Sequence, residues 1–138
     1  MLYLLDTDTS SYFIKGRHPH LDNLRARVSS LTHAELAISA LTKAELLYGL
    51  RRLPDSHDLH VSASSFLSAI QVFDWPDAAT DLYAHIRHHL TTTGQLIGEL
   101  DMLLAAHALS LDAVVVSNNT RHFERLSPPL RIENWAEG

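Results

Sequence analysis

The chain opens on Met1-Leu2-Tyr3-Leu4-Leu5, an apolar run closed by Asp6. A run this short, apolar at successive positions, predicts a strand over residues 2–6 buried on both faces of a parallel sheet. Thr9 to Ile14 then predicts a helix that the stretch Gly16 to Pro19 breaks. Over residues 20–31, Leu21, Leu24, Val28 and Leu31 recur at steps of three and four, which is helical periodicity. Ala37 to Leu41 is a short apolar run between two helical patterns, hence a second strand. Thr42 to Arg52 predicts a helix ended by Pro54, and residues 58–70 another. Gln71 to Phe73 is a third strand. Pro76 suits the first position of a long helix reaching Thr91. Gly94 and Gly98 bracket a loop, Leu100 to Leu111 forms an Ala- and Leu-rich buried helix, and Ala113 to Ser117 forms a fourth strand. Beyond Pro128 and Pro129, Arg131 to Asn134 is a last short strand. Strands alternating with helices imply an α/β fold: a parallel β-sheet sandwiched by helices.

No repeat, low-complexity tract or linker interrupts this alternation, and 138 residues fit one domain, 1–138. An apolar share of 46% with 20% charged residues excludes a disordered chain. With no cysteine, disulfides, thiolate zinc sites and a cysteine nucleophile are excluded, and a cytoplasmic location is the expectation. The first residues lack a basic leader, and Asp6 and Asp8 interrupt them, so they are expected as a core strand rather than a signal or membrane anchor. A net charge of −5 argues against a nucleic-acid binder. Two local facts soften that objection: a carboxylate cage would be offset by bound cations, and Lys15, Arg17, Arg25 and Arg27 cluster, as do Arg51 and Arg52.

Four acidic or amide stations stand where strands end or helices begin: Asp6, Glu45, Asp101 and Asn119. Strand ends of a parallel sheet share one edge, the place where open α/β folds put their sites. Three carboxylates and an amide gathered there would form a hard oxygen cage for Mg²⁺ or Mn²⁺, able to run phosphodiester hydrolysis. Each station also has a local explanation. Asp6 and Asp8, at successive same-face positions of a strand end, could cap the next helix. Thr42-Lys43-Ala44-Glu45 reads as a capping box, which alone would explain Glu45. Asp101 suits the helix dipole, although its apolar neighbours argue for a partner. Asn118-Asn119 is ordinary turn chemistry. Most of the ten histidines are read as surface or boundary residues, since none falls in a metal-binding spacing and His107 faces another side of its helix from Asp101. No nucleophile elbow or phosphate-cradling glycine loop is present.

Taken together, Leu5-Asp6-Thr7-Asp8, Leu41-Thr42-Lys43-Ala44-Glu45-Leu46-Leu47-Tyr48-Gly49, Gly94 to Asp101 with Ala105-Ala106-His107-Ala108, Val116 to Phe123, and the closing Ile132-Glu133-Asn134-Trp135 closely resemble PIN-domain proteins. Among these the likeness is to VapC-type toxins of prokaryotic toxin–antitoxin (VapBC) pairs, and it spans essentially the whole chain. The resemblance implies a PIN-like domain and an Mg²⁺-dependent endoribonuclease, with Mn²⁺ able to substitute. It implies Asp6, Glu45, Asp101 and Asn119 as catalytic residues, and Asp6, Asp101, Glu45 and Asp8 around the metal. Asn119 stands where many relatives carry a fourth Asp, and Asp8 where relatives often carry Asn. Ser117, Asn118 and Arg121 are expected to meet substrate. The implied partners are a VapB-type antitoxin and an RNA substrate, with the chain a homodimer or part of a dimer of toxin–antitoxin heterodimers, and no membrane.

Two rival readings remain at this point. Leu5-Asp6-Thr7-Asp8 approximates the nucleophile motif of haloacid-dehalogenase-like phosphotransferases, but the only lysines are Lys15 and Lys43 and no late acidic pair follows. Alternatively the chain is a catalytically weak PIN-domain module that works with its antitoxin as a DNA-binding repressor complex.

Overall fold

The structure, a computed structural model, describes residues 1–137. Five strands, β1 (Tyr3–Leu5), β2 (Leu36–Ser39), β3 (Gln71–Phe73), β4 (Val114–Val116) and β5 (Ile132–Glu133), form one sheet in the order β3-β2-β1-β4-β5. Every pairing is parallel, with Leu4 opposite Ala37 on one side and Val115 on the other. Seven helices connect them: α1 (Thr7–Lys15), α2 (Leu21–Ser29), α3 (Ala40–Arg51), α4 (Leu59–Ala69), α5 (Thr80–Thr92), α6 (Glu99–Ser110) and α7 (Thr120–Glu124).

Alternation along the buried strands makes two cores. Leu4, Ala37 and Val115 meet Ile86 and Leu90 of α5, the apolar face of α6 and Phe123 of α7. Tyr3, Leu5, Ile38, Val114 and Val116 meet Leu21 and Leu24 of α2, with Phe13 and Phe66 from α1 and α4. The sheet is therefore covered on both faces, which is what an all-parallel sheet requires. The carboxyl end of the chain closes over α2. The Trp135 ring lies 5.4 Å from that of Tyr3, and the Arg27 guanidinium stands over both rings while pairing with Glu133 at 3.1 Å.

The expected elements form, with shifts that have physical causes. The second strand spans Leu36–Ser39 rather than 37–41, because the Ser39 hydroxyl accepts the Leu41 N–H and starts α3 two residues early. Gly16, at φ 63°, closes α1 with the left-handed turn that glycine takes most easily. Pro76 leads into a 3₁₀ turn over Asp77–Ala79 before α5 begins. The short helix α7 was not expected from the Asn-Asn turn signal.

The placement of β1 at the centre sets a contrast in stability. Leu4→Ala is expected to lower unfolding free energy by roughly 3 kcal/mol, as buried Leu→Ala changes do. Leu47→Ala, on an exposed part of α3, should stay within about 0.5 kcal/mol. Urea unfolding monitored by circular dichroism checks both, and equal losses would contradict this placement.

Candidate active site

All five strands point their carboxyl ends to one edge, and the strand order reverses direction between β1 and β4, so a crevice opens there. Asp6 enters it from the end of β1. Its N–H donates to the Val116 carbonyl at 3.0 Å, and its Oδ1 accepts the Thr9 N–H at 2.9 Å, capping α1. Burial pushes the Asp6 carboxyl above its ordinary value, hydrogen bonds from Ser117 and Thr9 pull it partly back, and the charge of Asp8 raises it again. No cation pairs with it among the described residues.

Glu45 comes from α3. The capping box expected at Thr42 does not form: α3 begins at Ala40, Thr42 is buried inside it, and Glu45 lies too deep to reach back to the cap. A capping box does occur at Thr32 and Glu35, on the 3₁₀ turn before β2. Glu45 instead turns across the crevice, where its Oε1 accepts the Thr7 hydroxyl at 2.5 Å. The local explanation for this carboxylate is thereby removed.

Asp101 stands half-buried in the first turn of α6, and its Oδ2 lies 2.9 Å from His122 Nδ1. A carboxylate only accepts, so this nitrogen carries the proton. Asn119 Nδ2 lies 3.0 Å from the same nitrogen. Two donors cannot share that contact, so the amide is better turned with Oδ1 toward the ring. The sequence reading missed His122, and its one signal was the three-residue step from Asn119 on a short helix. His107 is an exception to the surface or boundary placement expected of most histidines. It is fully buried in α6, with Nδ1 2.8 Å from the Ser39 hydroxyl and Nε2 unpartnered, and burial lowers its pKa. The Ser39–His107 contact ties the start of α3, which carries Glu45, to α6, which carries Asp101.

Asp6, Glu45, Asp101 and Asn119 line one cavity of about 180 Å³, with Thr7 and Asp8 at its margin. Asp8 is exposed in the first turn of α1, so its relation to Asp6 is helical rather than the same-face strand relation expected. Ser117 is fully buried and serves Asp6 and the Asn119 N–H, leaving no surface for substrate. Asn118 is exposed and bonded to Asn134, and Arg121 is exposed on α7. The closed three-carboxylate cage expected from the sequence is not formed. Among the described residues no three Asp, Glu or His side chains stand in ligand geometry, because Glu45 and Asp101 are turned toward Thr7 and His122. The donors still suit a hard divalent ion such as Mg²⁺, which takes one or two carboxylates and keeps its waters. A buried Asp6 carboxylate without a cationic partner is where such an ion would be favoured.

A family model described as PIN domain matches residues 3–127. A Rickettsia felis protein named ribonuclease VapC2 is 34% identical over 98% of both chains. A Salmonella typhimurium protein named tRNA(fMet)-specific endonuclease VapC is 37% identical over 96% of this chain and 97% of its own. Among solved structures, VapBC2 from Rickettsia felis bound to a fragment of its promoter DNA superposes with a TM-score of 0.83 at 32% identity, covering 98% of this chain and 99% of that one. DNA-bound VapBC from Salmonella typhimurium does so at 0.85 and 35%, with the same coverage.

The raised pKa of Asp6 has a definite sign. Ionisation is disfavoured in the folded state, so the charge lowers stability fully above the raised folded pKa and not at all below the ordinary value of 3.8. Without divalent ions, Asp6→Asn should therefore melt higher than the wild type at neutral pH, and the gap should close as pH falls toward 3.8. Added Mg²⁺ should raise the wild-type melting temperature and leave the variant's unmoved. A variant that melts lower at neutral pH would give Asp6 a purely structural role.

Proposed function

The chain belongs to the PIN-domain family, and on that premise we propose that it is a ribonuclease toxin of a toxin–antitoxin pair, a metal-dependent endonuclease that hydrolyses RNA phosphodiester bonds. The observation that carries this reading is the gathering of Asp6, Glu45, Asp101 and Asn119, from four separate segments, around one cavity at the carboxyl edge of the sheet. The name haloacid-dehalogenase-like phosphotransferase is set aside by the family match over residues 3–127. We take residues 1–138 as one domain.

Asp6 and Asp101, with Glu45 and Asp8 nearby, would hold Mg²⁺ or Mn²⁺, which supplies charge neutralisation for the phosphate and a more acidic water. The residues of the chain do the rest. Glu45, with one oxygen held by Thr7, has its other oxygen free to orient the attacking water and take its proton. The water oxygen bonds to phosphorus as the bond to the 3′ oxygen breaks in line with it. The leaving oxygen takes a proton from solvent, giving 5′-phosphate and 3′-hydroxyl ends. Ser117 and Thr9 hold the Asp6 carboxylate from beneath, and His122 fixes the orientation of Asp101. Asn119 contributes an amide without charge, so a second ion would bind more weakly there. Arg121 and Asn118, both exposed and close in sequence to Asn119, would meet the RNA backbone.

The relatives solved as toxin–antitoxin complexes support a VapB-type antitoxin as partner, in a homodimer or a dimer of heterodimers. The DNA in two of these complexes also favours a second role for the same protein, as part of a promoter-binding assembly with that partner. No helix among the described residues is long and apolar enough to cross a membrane. A cytoplasmic site of action is in keeping with an RNA substrate.

Purified protein should cut single-stranded or looped RNA in Mg²⁺ or Mn²⁺ and stop in EDTA. Glu45→Gln keeps the Thr7 hydrogen bond and should reduce the rate at least a hundredfold, within the range of lost general-base catalysis, with little change in melting temperature. Expression of the wild-type chain alone should arrest growth, and co-expression of the cognate antitoxin should relieve the arrest. Cleavage that survives the chelator, or full activity in Glu45→Gln, would defeat the assignment.

A further inference from the structure

A groove of about 440 Å³ leaves the acidic cavity between α1, α3 and α4, sharing Thr7, Asp8 and Glu45 with it. Ser11 and Lys15 of α1, Gly49 and Arg52 at the end of α3, and Leu59 and Ala63 of α4 line it. At Lys15 and Leu59 it meets a second depression that includes Arg17, His57 and Asp58. From Thr7 to Lys15 the floor is about 12 Å long, the rise of eight helical residues.

We propose that this groove is the track of the single-stranded RNA that enters the acidic cavity, with Lys15 and Arg52 on its phosphates. The proposal rests on the nuclease reading above and adds where the substrate lies. Charge is the first argument. Eight of the eleven Lys and Arg side chains have no ion pair among the described residues, and three of them, Lys15, Arg17 and Arg52, lie along this channel, the Arg52 guanidinium 5.3 Å from the Tyr48 ring centroid. In a chain of net charge −5, unpaired cations along a channel that ends at a phosphodiesterase site match a polyanion. The apolar part of the lining, including Leu50, Leu53 and Leu59, suits ribose and base faces, and among the described residues no aromatic ring lines the groove. Binding along it is thus driven by the backbone rather than by base stacking.

Gly49 is the second argument. Glycine is the least favoured helix residue after proline, yet Gly49 lies inside α3 without a positive φ. A Cβ built there meets nothing within 4 Å, so neither backbone geometry nor packing demands a glycine. The space it leaves opens on the groove and allows an occupant to approach the helix backbone.

The test is fluorescence anisotropy of a labelled single-stranded oligoribonucleotide of mixed sequence, titrated in EDTA so that no cleavage occurs. Lys15→Gln combined with Arg52→Gln should weaken binding about tenfold at low salt. It should also make the log–log salt dependence shallower by about 1.4, two phosphates' worth for a single strand. Gly49→Leu should weaken binding at least tenfold while its melting temperature stays level or rises, and Gly49→Ser replaces it if the leucine variant does not fold. Arg131→Gln, on the opposite edge of the sheet, should bind as the wild type does. Groove variants that bind RNA normally, while wild type cuts RNA in Mg²⁺, overturn the groove alone. A Gly49→Leu variant that loses the antitoxin but keeps RNA gives the groove to the protein partner and also overturns it. Wild-type protein that neither binds nor cuts RNA overturns the nuclease reading together with this one.

Discussion

Asp6 holds a carboxylate out of water at the carboxyl end of the central strand, and much of the surrounding structure is arranged around that one group. A buried charge is tolerated only with hydrogen bonds or a counter-ion. The Thr9 N–H and the buried Ser117 supply the hydrogen bonds, while burial still wins and leaves the carboxyl raised. On the proposed reading, a divalent cation would offset the remaining imbalance. The same position, beside the point where the strand order reverses, brings α1, α3, α6 and the β4–α7 turn within reach of one another.

The other acids are each held by a partner that comes from a different part of the chain. Thr7 reaches Glu45 across 38 residues, and His122 reaches Asp101 across 21. Ser39 serves twice, accepting the Leu41 N–H to start α3 and meeting His107 in the core. These contacts fix the directions of the carboxylates, turning Glu45 toward Thr7 and Asp101 toward His122. On the proposed reading, an ion in the cavity would compete with Thr7 and His122 for oxygens they already engage. Such an arrangement would suit a hydrated ion that needs few protein ligands.

Much of this was legible from the chain itself. Short apolar runs with no polar alternation, such as Leu2 to Leu5 and Val114 to Val116, can only be satisfied in a sheet covered on both faces, so the parallel α/β architecture follows from local pattern. Asp6 and Asp101 stood out because an acid beside an apolar run calls for a partner, and the structure gives Asp6 the Thr9 N–H and Asp101 the His122 ring. The order of the stations and their spacing carried the family resemblance over nearly the full length, and the family match agrees with it.

What the tertiary structure decided is the set of relations between residues distant in sequence. Glu45 read as a capping residue, because Thr42 three positions earlier is a good cap, and only the packing of β2 showed that Ser39 starts the helix instead. His107 and His122 carried no recognisable spacing, since their partners, Ser39 and Asp101, lie 68 and 21 residues away. Ser117 was expected to meet substrate and is fully buried. Local pattern sets which segments are strands or helices, because hydrophobic periodicity acts over a few residues. Which oxygen faces which proton depends on how those segments pack, and that is written only in three dimensions.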